Sequence, residues 1–128
     1  MWRLAYSLVL SAGLLTAGCG GKVDADANRP VSYWLDEVKK PDRKARVKAV
    51  RRLGQIGGGD PAAVAAVTDA LRDKEATVRQ AAVLALENLG PAAASAVPAL
   101  TEVASRDPDK AVRSDATKAL EHIRGERR

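Results

Sequence analysis

The chain has 128 residues but no phenylalanine, one cysteine, one histidine and one methionine, and aromatic residues make up 3% of it. Each shortage excludes something. A lone cysteine, Cys19, permits neither an internal disulfide framework nor a multi-cysteine metal site. A lone histidine, His122, permits no paired-histidine metal centre. With so few rings the core has to be aliphatic, and many small Ala side chains allow helices to approach closely. Nucleic acid is not an expected partner, although 21 Lys and Arg outnumber 16 Asp and Glu, because no stacking aromatics are interleaved with the charges. No Gly-rich phosphate loop follows a strand pattern. Asp24 and Asp26 are too few for a calcium site, and Glu102 and Asp107 have no partner base. The expectation is therefore no enzyme, no cofactor and no small-molecule substrate. A chain of this length holds one domain at most.

What is present begins with the first nineteen residues. Met1-Trp2-Arg3 carries one positive charge, and Leu4 to Ala17 is apolar or small. That run falls short of the about 20 residues that cross a bilayer and fits the apolar region of a secretory signal. It ends on Thr16-Ala17-Gly18-Cys19, which resembles the lipobox of bacterial lipoproteins, with Thr16 standing where that family prefers Leu. The resemblance implies a diacylglycerol on the Cys19 thiol, cleavage between Gly18 and Cys19, and often acylation of the new amino terminus. Residues 1–18 are then the signal peptide, and a cell-envelope location follows, facing the periplasm or the exterior. Two or more acyl chains hold a small domain stably, at about 0.8 kcal/mol per buried methylene. Cleavage removes Arg3 and leaves 110 residues with a net charge of +4 in place of +5. Residues 19–30, the lipidated cysteine followed by "GGKVDADANRP", read as a flexible tether without an apolar pattern.

Behind it the sequence repeats. "ARVKAVRRLGQIG" starts at Ala45, "VRQAAVLALENLG" at Val78 and "VRSDATKALEHIR" at Val112, offsets of 33 and 34 residues. In register stand Arg46, Arg79 and Arg113; Ala49, Ala82 and Ala116; Leu53, Leu86 and Leu120; and Ile56, Leu89 and Ile123. These spacings place the apolar members on one helix face. Upstream of each lies a partner helix, marked by Val31, Trp34 and Val38, by Val64, Val67 and Leu71, and by Val97, Leu100 and Ala104. Ser32, Asp60, Asp73 and Asp107 are placed to cap helices, Pro61 and Pro108 to open them, and Gly57 and Gly90 to end them. Pro98 reads as a first-turn residue, which starts the fifth helix near Ser95 or Ala96.

This pattern, carried by "DKEATVR" from Asp73, "DPDKAVR" from Asp107 and the weaker "DRKAR" from Asp42, resembles the HEAT repeats of the short bacterial type shared with phycobilisome-lyase-like proteins. The resemblance covers residues 31–124 and leaves 125–128 as a basic tail. It implies an all-α fold, an α-solenoid of about three HEAT-like helix pairs behind the signal peptide. It also implies a polar ladder in which Arg46, Arg79 and Arg113 pair with Asp groups of adjacent repeats. Two enzyme families share the architecture. Deoxyhypusine hydroxylase needs several His-Glu pairs, whereas this chain has Glu121-His122 once and reversed. Phycobilin lyases are longer, and an acylated Cys19 has no thiol to offer a pigment.

Three repeats are near the minimum for a stable stack, so Trp34 and Tyr33 are expected to close the core at its N-terminal end. In HEAT-like solenoids the second helices line the concave surface. Opposite their apolar face stand Lys44, Lys48, Arg51 and Gln55, then Thr77, Ala81, Leu84 and Asn88, then Ala111, Asp115, Lys118 and His122. From these, Lys44, Lys48, Arg51, Ala81, Leu84, Asn88, Lys118 and His122 are the candidate partner-binding residues, with Ala81 and Leu84 as a small apolar seat. Lys39 to Arg52 holds eight basic residues against Asp42 alone. That stripe suits either anionic headgroups or an acidic partner. The expected function is a membrane-anchored lipoprotein with a protein-interaction module, its partners being membrane lipid through Cys19 and an unidentified envelope protein. The alternatives are a structural repeat lipoprotein with no specific partner, or a lyase-like accessory subunit.

Overall fold

The computed structural model describes residues 25–126. Six α-helices follow one another: α1 (Val31–Glu37), α2 (Arg43–Ile56), α3 (Pro61–Ala70), α4 (Ala76–Leu89), α5 (Val97–Arg106) and α6 (Lys110–Ile123), with a 3₁₀ segment over Gly90–Ala96 before α5. No strand occurs among the described residues. The second helices α2, α4 and α6 stack side by side with α4 in the middle, and α1, α3 and α5 back them. This is the all-α solenoid of three helix pairs expected from the repeats.

Local chemistry explains the boundaries. Asp42 precedes α2 and accepts the Ala45 N–H at 3.0 Å, and Asp60 precedes α3 and accepts the Ala62 N–H at 2.9 Å. Each carboxylate satisfies a donor that the first helical turn leaves open. Pro61 opens α3 as expected. Gly90 ends α4 at φ 57°, a left-handed conformation that L side chains rarely adopt. That break matters because Ala76–Arg106 is long and apolar enough by composition to cross a membrane. Gly90 divides it into α4, the 3₁₀ segment and α5, and half of α4 is buried inside the domain.

Other expected caps lie elsewhere. Ser32 is inside α1, whose N-cap position is Pro30. Glu75 and Asp109 hold the N-cap positions of α4 and α6. Asp73 and Asp107 stand two residues earlier, accepting the N–H of Glu75 at 3.0 Å and of Asp109 at 2.9 Å. Pro108 therefore precedes α6 rather than opening it. Pro98 is in the first turn of α5, which begins at Val97 after the 3₁₀ segment.

The displaced aspartates belong to a ladder. Arg46 donates through Nε and Nη2 to Asp73 at 2.8 and 3.2 Å, and Arg79 donates likewise to Asp107 at 2.8 and 3.1 Å. The Nη1 of each arginine grips its own loop: Arg46 the carbonyls of Lys40 and Pro41, Arg79 those of Asp73 and Lys74. Arg113 keeps only the second half of this pattern among the described residues, donating to the Asp107 carbonyl at 2.6 Å. The carboxylate expected for it would belong to a fourth repeat. At the other end, the position equivalent to Asp73 is Lys40, so the ladder also stops there.

The core is aliphatic. Ala49, Leu53, Val67, Val78, Ala82, Leu86, Leu100, Val112 and Ala116 are all 0–1% exposed. Trp34, 2% exposed, closes the N-terminal end with Tyr33 edge-on at 4.9 Å. At the C-terminal end, α6 turns Ser114, Thr117 and Glu121 outward, all exposed. Their equivalents in α4, Gln80, Val83 and Glu87, are covered wholly or in part. One core residue was misplaced by the pattern: Ile56 is 42% exposed. It is the last residue of α2, where Gly57 bonds back to Leu53 and the chain turns away.

Candidate functional site

The free surface of α2, α4 and α6 is the candidate site. Lys44, Lys48, Arg51 and Gln55 are exposed along α2; Thr77, Leu84 and Asn88 along α4; Ala111, Lys118 and His122 along α6. Seven of the eight candidate partner-binding residues therefore reach solvent on one surface. The eighth, Ala81, does not: it is 2% exposed. The apolar seat expected from Ala81 and Leu84 together is reduced to Leu84, 40% exposed.

The cause is the stacking. A middle helix of a solenoid is covered by its own pair and by the repeats on both sides. In α4, Ala81 and Ala85 face the preceding repeat, and α2 comes so close there that a Cβ on Gly54 would lie 2.6 Å from the Ala85 Cβ. The α6 equivalent of Ala81 is Asp115, half-buried and accepting from the Gln80 side chain at 2.9 Å. The α2 equivalent is Lys48, which has no repeat before it among the described residues and stays exposed.

The surface divides by charge. On α2, a groove of about 600 Å³ is lined by Arg43, Lys44, Val47, Lys48, Arg51 and Arg52 with Gln55 and Thr77. Arg43, Val47 and Arg52 were not singled out from the sequence, although they flank the chosen line by one residue on the same helical face. Within α2 there are six basic and no acidic residues. One of them, Arg46, turns inward to Asp73 and is not part of the groove. At the other end Lys118 lies 3.8 Å from Asp115, and His122 Nδ1 lies 3.8 Å from Glu87. The α6 end thus carries groups of both signs, the α2 end is cationic, and Leu84 sits between them.

Asp26 reaches the cationic end and pairs with Lys48. The Lys48 ammonium holds the Asp26 carboxyl below the usual carboxylate range. Arg29 lies over the Tyr33 ring at 4.8 Å. So the stretch read as free tether touches the domain from Asp26 onward. Gly18 and Cys19, the expected cleavage and lipidation residues, lie outside the described residues, as does the first half of the tether, residues 19–24. Among the described residues no three His, Cys, Asp or Glu side chains converge in a way that could hold a metal ion.

An array of antiparallel helix pairs, stacked in register with its second helices forming one open surface, defines an α-solenoid repeat protein. Residues 31–121 match the family of HEAT repeats, and the chain belongs to that family. No curated protein matches the chain.

Proposed function

We propose that this is a lipid-anchored protein of the cell envelope, whose HEAT-repeat domain binds a protein partner on the surface of its second helices. HEAT repeats serve as interaction scaffolds, because the stack presents a long surface that its own core does not use. The observation that carries the reading is Leu84. It is a large apolar side chain standing exposed at the middle of that surface, between a cationic groove and an end of mixed charge. An isolated apolar contact ringed by polar groups is the arrangement of a binding hot spot. The anchor rests on Thr16-Ala17-Gly18-Cys19 at the end of an apolar run.

Leu84→Glu tests the surface. The variant keeps its melting temperature, since an exposed substitution changes stability by about 0.5 kcal/mol or less. It loses a partner that wild-type protein cross-links from a photoreactive residue at Asn88. Cross-linking that survives Leu84→Glu would put the partner elsewhere. The anchor is tested by mass spectrometry of the amino-terminal peptide from the membrane fraction. Acylated Cys19 as the first residue is the expected result, and an intact Met1 or a free Cys19 thiol would refute it.

A further inference from the structure

We infer that the cationic face of α2 lies against an anionic lipid surface, so that the solenoid stands with its first repeat toward the membrane and its third repeat away from it. The inference rests on the anchored reading above, and three observations meet in it.

The first is where the cations are. Arg43, Lys44, Lys48, Arg51 and Arg52 line one groove, with Val47 as its apolar strip, and α2 carries no acid. The second is which end of the solenoid this is. The register position that α4 buries with Ala81 and Ala85 is occupied in α2 by Lys48 and Arg52. Two long cations thus stand where α4 presents small buried Ala side chains to the repeat before it, and Lys40 stands where a further rung of the ladder would require Asp. Among the described residues the first repeat is thus an end that carries charge. At the other end of the described stack the outward residues are the neutral or acidic Ser114, Thr117 and Glu121.

The third observation is where the chain arrives. Asp26 pairs with Lys48, so the amino-terminal segment meets the domain at the rim of the groove. Cys19 is seven residues before Asp26, and fully extended that distance is at most about 25 Å. An acylated Cys19 would hold the α2 face, rather than the α6 end, within reach of headgroups. Each cation near an anionic surface strengthens attachment about five-fold, and the short tether supplies a high effective concentration. A multiply charged, open groove at the anchored end suits the headgroups of a lipid surface. An acidic protein segment would be served equally well by cations at either end.

The full chain, extracted from a membrane fraction, is reconstituted in phosphatidylcholine vesicles with and without phosphatidylglycerol. A fluorophore is placed at Gln55→Cys, on the groove wall, or at Ser114→Cys, on the far end, and energy transfer to a headgroup acceptor is read. On phosphatidylglycerol vesicles transfer from position 55 is expected to exceed that from position 114 by about two-fold or more. The excess disappears in about 1 M salt, where the screening length is about 3 Å. It also disappears in the Lys44→Gln, Lys48→Gln, Arg51→Gln triple variant, whose exposed changes leave the fold intact. Equal transfer from both positions, or an excess that persists without phosphatidylglycerol, overturns the inference. So does a cross-link from position 55 to an acidic protein that replaces the lipid contact. The mass of the amino-terminal peptide from the same preparation separates the two readings. Acylated Cys19 with equal transfer refutes the orientation and keeps the anchor. Unmodified Cys19 with anionic-lipid-dependent transfer refutes the anchor and keeps the face.

Discussion

Gly54→Ala is expected to lower the stability of the domain by about 2 kcal/mol, and Gly54→Val by about 3 kcal/mol or more. In an exposed helix the first change would raise stability by up to about 1 kcal/mol, because Ala is the better helix former. Here packing decides the sign. A Cβ on Gly54 would stand 2.6 Å from the Ala85 Cβ and 2.7 Å from the Ala85 Cα. Real Cβ atoms do not approach that closely, and the second obstacle is backbone, so α2 and α4 must separate. These helices form the main seam between the first and second repeats, and a repeat stack is only as cooperative as its seams. In a domain of this size each kcal/mol shifts the melting temperature by about 4–8 °C. Thermal unfolding followed by circular dichroism should therefore show a loss of about 10 °C for Gly54→Ala. Gly59→Ala is the control, since nothing lies within 4 Å of its added Cβ. Partial recovery is expected in Gly54→Ala with Ala85→Gly, which removes the side-chain obstacle and leaves the backbone one. An unchanged or raised melting temperature for Gly54→Ala would show that α2 can shift at no cost.

The same seam shows how far the sequence could be read. The apolar register was legible because it repeats: Val78, Ala82, Leu86 and Leu89 are buried, and so are Val112, Ala116, Leu120 and Ile123. Ala81 was misread because a helical period describes one buried face, whereas α4 is covered on three sides. Only the neighbours decide whether the residue opposite that stripe sees solvent. The residue type held a clue: the α2 and α6 equivalents, Lys48 and Asp115, are charged, while the middle helix has Ala. Asp73 and Asp107 were harder. A carboxylate just ahead of a helix reads as a cap, and what diverts these two is an arginine 27 or 28 residues earlier in the chain. The Arg-to-Asp pairing was legible only through the resemblance to HEAT repeats, since no local pattern links residues so far apart.

Asp107→Ala is expected to cost about 3 kcal/mol, which sets it apart from the exposed ion pairs of the domain. Lys118 and Asp115 also approach each other, at 3.8 Å, but their side chains are 64% and 21% exposed, and such pairs contribute about 0.5 kcal/mol or less. Arg79 and Asp107 are 12% and 4% exposed. Removing the carboxylate leaves a guanidinium in a nearly dry site with two of its donors unmatched, and also frees the Asp109 N–H. Breaking a buried pair from one side is the expensive case. Asp107→Asn should cost less, because the amide oxygen can still accept from Asp109 and Arg79. The two variants also separate charge from geometry through pH. Burial pushes the Asp107 carboxyl up, but hydrogen bonds from Arg79 and from the Asp109 N–H outweigh it, and the group sits below its ordinary value. A carboxyl depressed on folding stabilises the native state above the unfolded value, near pH 4. That contribution is lost as pH falls through the folded value. The gap in stability between wild-type protein and Asp107→Asn should therefore be constant from pH 7 to about pH 5 and narrow below about pH 4. Urea unfolding at a series of pH values reads this directly. A gap that stays constant into acid would mean that Asp107 holds the repeats together through shape and hydrogen bonding alone, with its charge contributing nothing to the seam.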